Sequence, residues 1–432
     1  MKIEDRYYDV KPKIVPGDAE SVIEITPRYE HARFRPDATY SVTYAPLEEF
    51  AIRSGWTPGR QQVLQPVDGK LRIRQYFEAE QEHVLYVEET IKDKSKCVGD
   101  FRLYSLSPDL FRRRPYKGDF HLHSCRSDGW ESPGYVAAAC RRIGLDFMAV
   151  TDHRQYEPSI EARKAFESVD IDLRIFPGEE IHPPDNDVHM INFGGHFSIN
   201  ALFRDEAVYR DEAGALQRRL GKMPPGVDPY LYASSVWCFG KIREAGGLGI
   251  FCHPYWLTQH RYSPPGALTS HLFETQPFDA FELIGGFHRH EADSNTLQVA
   301  RYHEERARGR KIPIVGASDT HGCERGELFG WYYTLVFSRT LELEDLVDSI
   351  RDLYSVAVEA LPGEMPRVHG PFRFVKYALY LLREFFPAHD EPCVEEGRLM
   401  AAHLAGDETA AAALASLKGR TAKLVDAFMS NG

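Results

Sequence analysis

The run His121-Leu122-His123-Ser124-Cys125-Arg126-Ser127-Asp128-Gly129 opens a series of nine side chains able to ligate a metal. The others follow in Thr151-Asp152-His153, Glu180, His189, His253-Pro254 and Ser318-Asp319-Thr320-His321. Alternation along an extended segment puts His121 and His123 on one face, so two imidazoles aim at one point. Carboxylates arriving from other segments complete a mixed nitrogen and oxygen set suited to borderline divalent cations. A lone His-x-His recurs by chance. Here Ser127-Asp128-Gly129 follows it, and a glycine permits the tight turn that returns a carboxylate toward the imidazoles. The chemistry expected of such a set is hydrolysis assisted by several metal ions.

Short apolar runs precede most of these residues and must position them. Phe147-Met148-Ala149-Val150 leads to His153, Leu173-Arg174-Ile175-Phe176 to Glu180, Leu248-Gly249-Ile250-Phe251 to His253, and Ile312-Pro313-Ile314-Val315 to Asp319. They alternate with helical stretches such as Glu131 to Ile143 and Asn295 to Gly309. Buried parallel strands alternating with helices indicate an α/β architecture, doubly wound or closed into a barrel. Ligands just past strand ends match the usual layout of α/β barrels. Residues 1–112 differ: period-2 runs such as Ser21 to Thr26, Thr39 to Tyr44 and His83 to Val87 predict a small β-sandwich. Residues 363–432 read as helices over Phe372 to Phe386, Cys393 to Ala405 and Glu408 to Met429. No chemistry is visible there. Three regions are therefore expected, with the α/β region over residues 113–362.

Taken in order, His121-x-His123, Ser127-Asp128-Gly129, Thr151-Asp152-His153, Pro177-Gly178-x-Glu180, His253-Pro254 and Ser318-Asp319-x-His321 resemble the motifs of the PHP family, named for polymerase and histidinol phosphatase. The resemblance covers roughly residues 117–360. It implies a distorted (β/α)7 barrel holding two or three divalent ions, zinc, manganese or iron. It implies one metal site of His121, His123, Glu180 and Asp319, with Glu180 bridging to a second ion on His189 and His253. Asp128, His153 and His321 would hold a third. Glu179 competes with Glu180, which matches the Gly-x-Glu spacing, and His182 and His196 compete with His189. Asp152 is expected behind the ligands, orienting an imidazole. Glu282 reads as a salt-bridged barrel carboxylate.

Two divalent cations depress the pKa of bound water, so a bridging hydroxide is the expected nucleophile. An anionic ester then needs cations to position it. Arg154, beside His153, Arg325, after His321, and Arg126, inside the first motif, are the candidates for that contact, since an Arg fork fits phosphate. The leading expectation is a phosphoesterase for small phosphomonoesters. An N-terminal β-domain before a PHP barrel also resembles the CehA/McbA-type metallohydrolases, which include carbamate and amide hydrolases; an apolar pocket would be expected there. A nuclease and a non-catalytic metal-binding scaffold rank lower. Cys125 and Cys252 are expected as buried spectators, with Cys323 left open. No Gly-x-Ser-x-Gly elbow occurs, so a serine hydrolase is disfavoured.

The rest of the composition sets bounds. In 432 residues, 52 Lys and Arg stand against 64 Asp and Glu, a formal charge of −12 that argues against a nucleic-acid partner. Seven cysteines without a Cys-x-x-Cys pair suggest a reducing compartment rather than a disulfide framework. The polar start Met1 to Arg6 carries no apolar signal core, and no run is long enough to span a membrane, so a cytoplasmic location without membrane contact is expected.

Overall fold

The protein is described by a computed structural model over residues 6–48, 61–325 and 327–429. Met1 to Asp5, part of the polar start noted above, lie outside the described residues. The chain divides into two compact units, one of Met1–Arg114, Lys376–Glu391 and Gly419–Gly432, the other of Pro115–Val375 and Pro392–Lys418. The C-terminal helical stretch is thus apportioned between the two units and does not form a third.

In the first unit, strands Tyr8–Lys11, Ala19–Pro27 and Leu71–Phe77 pair antiparallel. A five-stranded sheet runs in the order Ile14–Pro16, Lys94–Leu106, Glu82–Ile91, Thr39–Pro46, Gln61–Leu64. Period-2 alternation turns Ile23, Ile25, Leu71 and Ile73 of the first sheet inward, and Tyr40, Val42, Leu85, Val87, Phe101 and Leu103 of the second. These residues share one core. The alternation seen in the sequence is therefore the burial pattern of two sheets over common apolar contents.

The second unit is mixed α/β. One sheet has the order Arg174–Phe176, Phe147–Ala149, Arg114–Asp119, Tyr332–Ser338, Ser355–Glu359, Arg367–His369. The other has the order Gly178–Ile181, Met190–Phe193, Leu248–Phe251, Ala280–Ile284, Ile314–Gly316. Leu248–Phe251 pairs parallel with Ala280–Ile284, and Ala280–Ile284 with Ile314–Gly316, each pair joined through a helix. Gly178–Ile181 pairs antiparallel with Met190–Phe193, because residues 182–189 are too short for a crossover helix, and Met190–Phe193 pairs antiparallel with Leu248–Phe251. Tyr332–Ser338 and Ser355–Glu359 also pair antiparallel. The uniform parallel alternation expected from the sequence is corrected to this mixed pairing.

Most of these strands are buried on both faces, which explains their near-continuous apolar runs. The helix expected over Glu131 to Ile143 runs Pro133–Arg142, with the Ser132 side chain accepting from the Tyr135 N–H and proline at its first position. Its Arg141 is fully buried and donates to Glu396, 2.6 Å away in the same unit. The helix read over Glu408 to Met429 breaks into Ala410–Leu417 and Arg420–Phe428, with Gly419 between them at a φ of 75°. A left-handed residue ends one helix there before the next begins. Among the described residues, no helix is long and apolar enough to cross a membrane.

Candidate metal centre

Each ligand segment is tied to its neighbour by main-chain bonds. The Asp319 N–H donates to the His121 carbonyl at 2.9 Å, and the His123 N–H donates to the Thr320 carbonyl at 2.9 Å. The Thr151 N–H reaches the Leu122 carbonyl at 2.7 Å, and the Glu180 N–H reaches the Thr151 carbonyl at 3.1 Å. His153 and Glu180 lie opposite each other in a parallel bridge. Residues distant in sequence are thereby held in register. Glu180 itself lies inside the strand Gly178–Ile181 rather than after a strand, a correction to the expected layout.

Alternation on that short strand separates the two competing glutamates. Glu179 is saturated: it accepts from Asn192 Nδ2 at 3.1 Å, Ser198 Oγ at 2.7 Å, the Ile199 N–H at 2.5 Å and Asn200 Nδ2 at 2.9 Å. Glu180 faces the imidazoles. His189 Nδ1 stands 3.0 Å and His253 Nε2 3.5 Å from its Oε1. His121 Nε2 at 3.6 Å, His123 Nε2 at 3.7 Å and His182 Nε2 at 3.2 Å face its Oε2, together with His153 Nδ1. Asp319 Oδ1 lies 3.1 Å from His121 Nε2 and 2.9 Å from His123 Nε2. Asp128 lies 3.4 Å from His153 Nε2 and 3.3 Å from His321 Nε2. All nine sequence-predicted ligands are gathered in this one region.

Glu180 is fully buried, yet neither of its oxygens receives a hydrogen bond of acceptable geometry. His121 Nε2 and His123 Nδ1 are equally orphaned. A carboxylate buried among imidazoles with no well-formed hydrogen bond is costly, so a native structure keeps one for a reason. A cation is a sufficient reason. Donors that share an ion at about 2.0–2.2 Å stand roughly 3–3.5 Å from each other, the spacing found here. Groups of donors whose atoms lie within 4.8 Å of one another are His121, His123 and Asp319; His121, Glu180 and His253; and His123, Asp128, His153 and His321. The residues present therefore fit a multinuclear centre of divalent ions.

The supporting residues differ from expectation at several points. Glu282, read as a salt-bridged barrel carboxylate, is fully buried and finds its partner in the centre itself, 2.9 Å from His121 Nδ1. With an ion bound, a proton on Nδ1 donated to Glu282 would leave the Nε2 lone pair for the metal, the tautomer ligation needs. Asp152 does not orient an imidazole. It accepts from the Ser124 N–H at 2.9 Å, Ser124 Oγ at 2.6 Å, the Ser127 N–H at 3.1 Å and Ser127 Oγ at 2.5 Å, and so holds the loop that carries Asp128. Within that loop, a Cβ on Gly129 would meet the His123 carbonyl at 2.7 Å, so close approach demands the glycine. His321 is set by Nδ1, 3.0 Å from the Asp319 carbonyl.

Three non-glycine residues of the site have positive φ: Arg154 at 59°, His253 at 22° and Asp319 at 51°. Such conformations persist only where surrounding contacts impose them, as they do around a working site. Charge balance is equally tight. Burial alone would depress the His121 imidazole, but the Asp319 and Glu180 carboxylates hold it well above its usual range. Against the burial that would raise it, Glu180 is held well below the usual carboxylate range by His189, His121 and His153. Burial pushes the His189 imidazole down to about 4 despite the opposing Glu180.

Of the proposed anion contacts, Arg126 is already bound: its guanidinium makes a two-pronged pair with Glu161 at 2.8 and 2.9 Å. Arg325 lies over the Trp130 ring, 5.4 Å from its centroid. Arg154 is exposed, and its N–H donates to the Glu180 carbonyl at 3.0 Å. Cys252 is buried as expected, but Cys125 is exposed because its loop faces outward. Cys323 is half-buried, and burial raises its thiol pKa. Trp256, not singled out from the sequence, has its ring 5.9 Å from that of His189 and 6.4 Å from that of His253. An aromatic two residues beyond His253-Pro254 was the only available signal.

No family model matches the chain. Over 53 residues it is 47% identical to the DNA polymerase/3'-5' exonuclease PolX of Bacillus subtilis (strain 168). The match covers 12% of this chain and about 9% of the length of that relative. A solved two-domain protein from Bacteroides vulgatus ATCC 8482, described as containing a predicted PHP-like metal-dependent phosphoesterase, is 18% identical at a TM-score of 0.40. That likeness covers 58% of this chain and 66% of the other. An amidohydrolase from Chromobacterium violaceum is 19% identical at a TM-score of 0.31, over 49% of this chain and 89% of the other. In the order of its motifs, and in their gathering around one buried carboxylate, the chain resembles the PHP metallohydrolases.

Proposed function

We propose that this protein is a metal-dependent hydrolase acting on a small phosphomonoester. The observation that carries the reading is the fully buried Glu180, ringed by imidazoles while both of its oxygens lack hydrogen bonds. His121, His123, Glu180 and Asp319 would hold one ion, Glu180, His189 and His253 a second, and Asp128, His153 and His321 a third. When bound, such ions supply an activated water and neutralise charge on the substrate oxygens. Zinc, manganese and iron all suit the donor set.

The chain's own residues do the remaining work. Glu282 keeps the His121 proton on Nδ1 and its Nε2 available. Asp152 fixes the loop that presents Asp128. Arg154, exposed next to His153, is the cation best able to take a substrate oxygen, since Arg126 is paired with Glu161.

A second reading, hydrolysis of a carbamate or amide of CehA/McbA type, is favoured by the rim of the site. Trp256 is 40% exposed beside His189 and His253, and Trp130, whose N–H donates to the His321 carbonyl, is 64% exposed. Exposed aromatic surface of this kind suits an apolar substrate group. A nuclease role is disfavoured by the charge of −12. One preparation tests both readings: elemental analysis, then turnover of an aryl phosphate and of an aryl carbamate with and without chelator. Phosphate turnover abolished by the chelator and by His121→Ala supports the phosphoesterase. Carbamate turnover alone moves the assignment to the second reading. A protein that binds no metal on reconstitution overturns both.

A further inference from the structure

His182 is outside the nine ligands named above, yet it stands inside the centre. Its Nε2 lies 3.2 Å from Glu180 Oε2 and 3.0 Å from His153 Nδ1. These atoms form a donor group within 4.8 Å of one another, whereas His189 joins none of the groups so defined among the described residues. The His182 side chain is 14% exposed, and its ring stacks on that of His189 with centroids 3.9 Å apart and planes 20° apart. The stack aims one nitrogen at each oxygen of a single carboxylate, His189 Nδ1 at Oε1 and His182 Nε2 at Oε2.

We propose that His182 is a further metal ligand, completing with Glu180 Oε2 and His153 Nδ1 a site for a divalent cation. The inference rests on the metallohydrolase reading of the same centre. Two imidazole nitrogens that share an ion at about 2.0–2.1 Å stand roughly 3–3.4 Å apart, which brackets the 3.0 Å separation of His153 Nδ1 and His182 Nε2. A hydrogen bond between the two nitrogens could explain that distance alone. It does not explain why Glu180 Oε2, facing both rings, has no hydrogen bond.

The arrangement also gives His153 two faces. Its Nδ1 looks to Glu180 and His182, and its Nε2 looks to Asp128 at 3.4 Å. A neutral imidazole offers one lone pair, so His153 serves one donor group at a time. His182 therefore gives the centre a second way to hold an ion when His153 turns its lone pair from Asp128 toward Glu180.

The test is metal binding by the full-length chain, not turnover. Stripped protein is titrated with Co2+ while the d–d absorption is followed, and with Zn2+ against a chromophoric chelator. His182→Gln, which keeps a hydrogen-bonding amide but loses the imidazole, is compared with the unaltered protein and with His196→Gln. Circular dichroism checks that each variant folds. A tenfold or greater loss of affinity for one equivalent, together with a changed Co2+ spectrum, is expected only for His182→Gln. Unchanged affinity and spectrum in His182→Gln would overturn the inference while leaving the hydrolase reading intact. Failure of the unaltered protein to bind either cation would overturn the hydrolase reading, and this inference with it.

Discussion

Glu282 lies within the strand Ala280–Ile284 and is not among the nine expected ligands, yet its removal should weaken metal binding measurably. Both Glu282 and His121 are fully buried, and Glu282 Oε2 stands 2.9 Å from His121 Nδ1. A hydrogen bond to a charged group is worth about 1.5–3 kcal/mol, or roughly 10- to 150-fold in an equilibrium constant. Carboxylates behind metal-bound imidazoles typically contribute about 10–100-fold to affinity. Glu282→Gln retains a carbonyl that can accept the Nδ1 proton, so it should lose the charge but keep the tautomer, at the lower end of that range. Glu282→Ala loses both and leaves a cavity beside Cys252, which places it at the upper end. Competitive Zn2+ titration against a chromophoric chelator, at fixed pH and with thermal melts of each variant, provides the measurement. Equal affinity in the unaltered protein and in both variants would refute the idea that Glu282 sets the His121 tautomer.

Other outcomes follow from the same structure. Asp152→Ala leaves the Ser124 and Ser127 donors without their acceptor, so it should cost about 3–5 kcal/mol and remove the ion proposed for Asp128, His153 and His321 without altering any proposed ligand; calorimetry and metal content check this. Arg154→Ala should raise KM for an aryl phosphate more than it lowers kcat, and steady-state kinetics separates the two. Glu396→Ala removes one charged acceptor of the buried Arg141 guanidinium, which keeps Asp146 and the Leu145 carbonyl, and should destabilise the fold by about 1.5–3 kcal/mol in a urea melt, with metal content per folded chain unchanged. In the metal-free protein, His189 titrates near 4 when folded but near its usual 6.5 when unfolded. Between those values the unfolded chain binds the extra proton, so its contribution is present above pH 6.5 and lost as pH falls toward 4. The loss is at most about 3 kcal/mol, and His189→Gln should remove it from the pH dependence of stability.

Much of the centre was legible because metal chemistry restricts residue type. His121-x-His123, His253-Pro254 and Asp319-x-His321 are short patterns in which spacing alone puts donors on one face. The apolar runs before His153, His253 and Asp319 were recognisable as buried strands because both of their faces are covered. What local pattern could not convey was which strands pair and in which sense. The antiparallel hairpin of Gly178–Ile181 and Met190–Phe193 is visible only once both strands are located. That hairpin is also what puts Glu180 and His189 face to face.

Residue types and their spacing by themselves determined that this chain gathers imidazoles and carboxylates, since few other side chains bind divalent ions. Only the tertiary structure decided the duties of residues that look alike in sequence. Glu179 and Glu180 are neighbours, but strand alternation turns one toward Asn192, Ser198 and Asn200 and the other toward the imidazoles. Glu282 read as a salt-bridged barrel carboxylate and Asp152 as the residue orienting an imidazole, until the fold brought His121 to the first and the Ser124–Ser127 loop to the second. His182, which the sequence offered only as a competitor of His189, stands beside it in the centre because the same hairpin stacks the two rings. A donor's identity is local, but many of its partners, such as Asp319 for His121 and His123, come from distant chain segments, and only packing brings them together.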